Sequence, residues 1–175
     1  MTPRILIACI GNIFLGDDGF GTEVARRLSN RTLPPGVLLK DFGIRSIDLT
    51  YALLEPYELV ILVDASARGG DPGTIYLIEP DEADSGPGGP ARLETHNMNP
   101  VNVLRMARSM GGVHGRVLIV GCEPADFGPS GDGGRLGLSE PVERALDGAV
   151  TLIESLLIES LLHDGFSAIA LETPR

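Results

Sequence analysis

The sequence predicts an α/β protein, a three-layer α/β/α sandwich built on a five-stranded, mostly parallel mixed sheet. Three observations lead there. Short runs rich in Ile, Val and Leu, bounded by Gly, Pro or Asp, recur at 4–10, 37–41, 59–64, 73–79 and 116–122. Helical patterns lie between most of them, and that alternation gives a parallel sheet covered on both faces. The third and fourth runs are separated only by Ala65 to Pro72, too short for a parallel crossover. The fourth strand is therefore expected to run antiparallel to the third.

The first strand, 4–10, empties into Gly11-Asn-Ile-Phe-Leu-Gly-Asp-Asp-Gly-Phe-Gly21, a glycine-rich turn presenting two adjacent carboxylates. A helix from Thr22 to Ser29 follows, with Val24, Ala25 and Leu28 on one face. After the second strand, a helix from Ile47 to Leu54 carries Asp48 near its start. Another runs from Pro100 to Met110, where Val103, Leu104 and Ala107 share a face. Ser139 and Pro141 open the last helix, which continues to about Leu162. The chain reads as one domain over 1–162 with a C-terminal tail over 163–175. Two loops are long, 80–99 and 123–138; both are glycine-rich, and the first is acidic. Loops of that length in compact domains are mostly functional or mobile. No repeats are visible.

Composition narrows the function classes. The 175 residues suit one domain with a sizeable core. Twenty-four acidic and 14 basic residues leave a net charge of −10, which argues against nucleic acid or an anionic membrane surface as partner. Cys9 and Cys122 lie on separate apolar runs with no CxxC pair, as small core residues in a reducing compartment do. The apolar run after Arg4 is short and meets Asp17-Asp18 rather than a cleavage site, and no stretch is long and uncharged enough to span a bilayer. A cytoplasmic location is expected.

Turns at the carboxyl ends of sheet strands are where open α/β folds place their chemistry. Asp17 and Asp18 follow the first strand there, and Asp64 ends the third, so the carboxylates should converge. Asp17 or Asp18 also suits a helix N-cap, Asp17 the more readily, and Asp64 a turn former. His96, in Glu94-Thr-His-Asn-Met-Asn-Pro100, enters a helix at the same edge. Asp18, Asp64 and His96 together form one imidazole and two carboxylates, a donor set for a divalent transition metal with coordination positions left open. His114, in a glycine-rich turn, belongs at the opposite end of the sheet, and His163 falls in the tail. The glycine spacing is not that of a dinucleotide fingerprint, and two aspartates would repel a pyrophosphate. A phosphoacceptor domain shares the acidic pair and the third-strand aspartate. It also needs a lysine at the end of strand five, where this chain has Gly121-Cys-Glu-Pro124.

The run Gly11-Asn12…Asp17-Asp18-Gly19-Phe20-Gly21 resembles the opening signature of the hydrogenase maturation proteases. Further matches follow in order: Asp41-Phe-Gly-Ile44, Leu62-Val-Asp64-Ala65, the segment with His96, Val120-Gly-Cys-Glu123-Pro124 and Gly137-Leu-Ser-Glu-Pro-Val142. The resemblance implies an α/β/α peptidase domain that removes a C-terminal extension from the large-subunit precursor of a nickel–iron hydrogenase once nickel is in place. It implies Asp18, Asp64 and His96 as the catalytic and metal-contacting residues, with the nickel carried by the substrate. Two departures stand out. Asp41-Phe-Gly-Ile replaces the usual Asp-Gly-Gly-Thr, and Ser139-Glu-Pro-Val replaces Ser-Pro-Glu-Val. A non-catalytic nickel-sensing or assembly module on the same fold would use the same residues. The acidic stretch 80–95 is expected to gain order at its end, near His96, only when metal or substrate arrives.

Overall fold

The computed structural model describes residues 4–80, 100–127 and 134–169, with side chains as far as Leu162. Five strands form one sheet: β1 (Ile5–Ile10), β2 (Val37–Gly43), β3 (Leu59–Ala65), β4 (Ile75–Ile78) and β5 (Arg116–Cys122). Their order across the sheet is β2-β1-β3-β5-β4. β1 pairs in parallel with β2 and β3, and β3 pairs in parallel with β5. β4 is antiparallel, as its short connection requires, but it lies beside β5 at the sheet edge rather than beside β3.

The three central strands are buried along nearly their whole length, so their side chains feed two cores by simple alternation. Ile5, Ile7 and Cys9 of β1 join Leu59, Ile61 and Val63 of β3 and Leu118 and Val120 of β5 on one face. Leu6, Ala8, Val60, Leu62, Val117 and Ile119 fill the other. Helices α1 (Phe20–Leu28) and α4 (Glu140–Ile169) cover the first face, where Val24, Leu28, Leu146 and Ile153 are fully buried. Helices α2 (Ser46–Ala52) and α3 (Pro100–Ser109) cover the second with Leu49 and Leu104. Each such side chain contributes about 1.5–3 kcal/mol through burial.

α4 continues past Leu162 to Ile169. The tail from His163 carries no strong signal in the sequence, and the glycine within it costs a helix only about 1 kcal/mol. α1 begins at Phe20 rather than Thr22, preceded by a 3₁₀ turn over Gly16–Gly19. The tight join has a cause: a Cβ on Gly21 would stand 2.1 Å from the Ile10 carbonyl oxygen and 2.4 Å from that of Val63. Only glycine lets the first turn of α1 lie directly on the ends of β1 and β3.

This topology fixes where a site can be. The chain leaves β1 toward β2 on one side and returns to β3 on the other. The ends of β1 and β3 therefore flank the point where strand order reverses, the place at which open α/β sheets leave a crevice.

Candidate active site at the β1–β3 edge

The two adjacent aspartates have separate jobs. Asp17 is fully buried. One of its carboxylate oxygens accepts the amides of Ala125 and Asp126 at 2.8 and 3.0 Å and the Ser139 hydroxyl at 2.8 Å. The other accepts the Ser139 amide at 2.6 Å. Burial alone would raise this carboxyl, but the donors from Ser139, Asp126 and Ala125 outweigh it and hold the group below its ordinary value. Asp17 is thus neither an N-cap nor a free carboxylate; it ties the turn to the loop after β5 and to the start of α4. Ser139, read from sequence as the opener of α4, spends its hydroxyl on Asp17 instead. Beside this clamp, Gly16 N–H donates to Arg135 O at 2.8 Å and Arg135 N–H to Phe14 O at 2.9 Å, so the turn pairs with the strand-like segment ahead of α4.

Asp18 points the other way. It is half-buried, and its carboxylate accepts the Asn12 amide at 3.0 Å. Burial raises its pKa. Asp64 is 6% exposed at the end of β3, where it pairs with Gly121 of β5. Its pKa is raised well above the usual carboxylate range, first by burial and then by the charge of Asp18. Asp18 therefore lies within electrostatic range of Asp64. A buried like-charged pair of this kind gains by capturing a cation or a proton.

His96 lies outside the described residues. The ends of its segment do not: Pro80 and Pro100 both line a depression of about 360 Å³ that Asp64 also lines. Ala65, Ser66, Arg68 and Val101 are among its other lining residues. Among the described residues no group of three His, Cys, Asp or Glu side chains is arranged to hold a metal. The pair Asp18–Asp64 is what the described residues contribute.

The other candidates fall away. His114 is exposed just before β5, at the amino end of the sheet. Asp41 is engaged locally, accepting the Gly43 amide at 2.9 Å and the Thr22 hydroxyl at 3.3 Å. Phe42, which stands where glycine is usual in the resembled motif, is fully buried in the second core. Cys9 and Cys122 are free and buried; burial drives both thiols up, Cys122 to about 12, so neither is a nucleophile.

An α/β/α domain that presents two carboxyls at its strand-order switch, with both of its cysteines buried in the core, has an acidic candidate site rather than a thiol one. Comparison with known proteins identifies the family. The family model HycI, hydrogenase maturation protease, matches residues 22–156. The hydrogenase expression/formation protein HupM of Azotobacter chroococcum is 33% identical over 162 residues, covering 90% of this chain and 73% of its own. A putative hydrogenase maturation protease of Methanocaldococcus jannaschii is 32% identical, covering 85% and 93%. The hydrogenase maturating endopeptidase HybD from Escherichia coli superposes with a TM-score of 0.71 at 25% identity, covering 90% and 93%. HycI from Thermococcus kodakarensis gives 0.64 at 28%, covering 88% and 92%. The chain belongs to the hydrogenase maturation protease family, and it is an endopeptidase of that family.

Proposed function

We propose that this enzyme removes the C-terminal extension of a nickel–iron hydrogenase large-subunit precursor after nickel has been inserted, and that Asp18, Asp64 and His96 contact the substrate's nickel. The observation that carries this reading is the placement of Asp64, buried at the end of β3 and destabilised first by that burial and then by the charge of Asp18. Two carboxylates held together against their own repulsion bind a divalent cation better than either alone. A precursor that brings nickel relieves that repulsion; an empty precursor does not. Differential binding of this kind makes cleavage conditional on metal insertion. The cation polarises the scissile carbonyl or a water, and a raised carboxyl is suited to taking up the proton.

A cytoplasmic setting belongs to the same proposal, supported by the two free thiols. No helix among the described residues is long and apolar enough to cross a membrane. The test is incubation with nickel-loaded and nickel-free precursor, followed by mass measurement of the large subunit. Loss of the extension only from the loaded form supports the reading. Cleavage of the metal-free precursor, or of the isolated C-terminal peptide, overturns it.

A further inference from the structure

We propose that Glu123 is a positioning residue for substrate binding: its buried carboxylate fixes residues 66–70 as the wall of the cleft that receives the precursor chain beside Asp64. The proposal rests on the reading above that this cleft takes the precursor.

Asp64 itself needs no such help. It is held in the β3–β5 ladder, with Asp64 opposite Gly121 and Ala65 opposite Cys122. The ladder's last hold on the chain is Ser66 N–H to Cys122 O at 2.8 Å. Beyond it, residues 67–70 are all exposed and contribute nothing to either core. A segment of this sort has no packing to order it.

Glu123 supplies the missing order. Its side chain is 5% exposed, and its carboxylate accepts the Arg68 amide at 2.8 Å, the Gly69 amide at 3.1 Å and the Tyr76 hydroxyl at 2.8 Å. Burial would push this carboxyl up, yet its donors hold it below its ordinary value, so it stays charged. Its backbone is anchored in turn: Glu123 N–H donates to Thr74 O, and Gly73 N–H to Glu123 O, both at 2.8 Å. The wrapped segment comes so close that a Cβ on Gly70 would stand 2.2 Å from the Tyr76 hydroxyl oxygen. The result is a fixed course for Ala65, Ser66 and Arg68 along the depression, with the Arg68 guanidinium 5.7 Å from the Tyr76 ring centre.

A charged group is buried here to organise an exposed strip of chain that stabilises little. Its return is the shape of the cleft, which predicts an effect on substrate affinity rather than on turnover. The experiment compares wild type with Glu123→Ala, Glu123→Gln and Tyr76→Phe in steady-state processing of nickel-loaded precursor and in amide exchange at residues 68–70. Glu123→Ala is expected to raise KM about tenfold, the scale of one lost charge-assisted hydrogen bond, with kcat within about twofold and faster exchange at Arg68 and Gly69. Glu123→Gln keeps one acceptor oxygen and falls between. Tyr76→Phe shifts both readouts in the same direction by less. A folded Glu123→Ala enzyme with unchanged KM overturns the proposal, as does a fall in kcat at constant KM. Should Glu123→Ala not fold, wild-type KM and exchange in both other variants overturn it. If wild type itself leaves the loaded precursor uncut, the proposed function fails separately, and exchange alone then decides whether Glu123 holds the segment.

Discussion

At the carboxyl end of the sheet, carboxylates hold the backbone. Asp17 gathers donors from residues 125, 126 and 139, and Glu123 gathers the amides of Arg68 and Gly69. At the amino end, backbone packs on backbone. Val113 N–H donates to Leu53 O at 2.8 Å and Arg116 N–H to Glu58 O at 3.0 Å. A Cβ on Gly115 would stand 2.4 Å from Tyr57 O and 2.3 Å from Glu58 O. Val113 adopts φ 65° there, unique among the described non-glycine residues, at a cost of about 1–3 kcal/mol. The amino end is knitted from close approach and tolerates strain. The carboxyl end is built on carboxyls: Asp17 and Glu123 are held by several donors each, whereas burial raises the half-buried Asp18 and the buried Asp64. The candidate chemistry thus sits at one end of the strands, while both ends hold the fold together by different means.

The sharpest way to break that division is Asp64→Asn. Processing should be abolished while the free enzyme melts higher at pH 7, because a buried, repelled charge is gone. The sign follows from the raised pKa: wild type binds this proton more tightly folded than unfolded, so the group favours folding below the unfolded value and loses that advantage as pH rises through the folded one. The melting gap should widen with pH; a variant that melts lower throughout would show that Asp64 stabilises the fold. Gly21→Val should cost more than about 4 kcal/mol, since no shift of side chains clears the two carbonyl oxygens; denaturant titration gives the figure. Gly19→Val should be milder, its Cβ meeting Ile13 Cα at 3.3 Å.

Asp17→Asn should cost about 3 kcal/mol by leaving buried donors without a charged acceptor. Asp17 has a lowered pKa, so its contribution is present above the ordinary Asp value of about 3.9 and is lost as pH falls through the lower folded value. Chemical denaturation of both proteins between neutrality and pH 3 should show the gap closing. At the other end, Gly115→Ala should cost about 2 kcal/mol of stability and leave precursor processing per folded molecule unchanged; a loss of activity would tie the two ends together. Smallest of all, Arg4→Ala removes an exposed ion pair with Glu58 and should change stability by less than about 1 kcal/mol.

Much of this was legible along the chain. Apolar runs located all five strands, and the short Ala65–Pro72 link gave the direction of β4, because both depend on local pattern. That β4 lies beside β5 depends on a non-local pairing that no local pattern encodes. Asp64 was legible as the polar residue near the end of an apolar strand, and Asp18 as part of the glycine-rich turn that leaves β1. The work of Asp17 was not: its neighbours suggest a cap, while its partners are 108 to 122 residues away. Glu123 was visible only as part of a motif, since its partners, the backbone amides of residues 68 and 69, leave no mark on residue identity. Ser139 offered a signal in the Gly137-Leu-Ser run, but a serine before a proline-initiated helix reads equally well as a cap.

The Asp17–Ser139 contact spans 122 residues, and that separation sets a timetable. A chain synthesised at about 5–20 residues per second can pair β1, β2 and β3 early, but Asp17 waits for its last partner until the start of α4 has left the ribosome. Through that interval Asp17 lacks both of its Ser139 donors, and the turn bearing Asp18 is without its tie to the start of α4. The tie between this turn and the closing helix is therefore among the last contacts the growing chain can make.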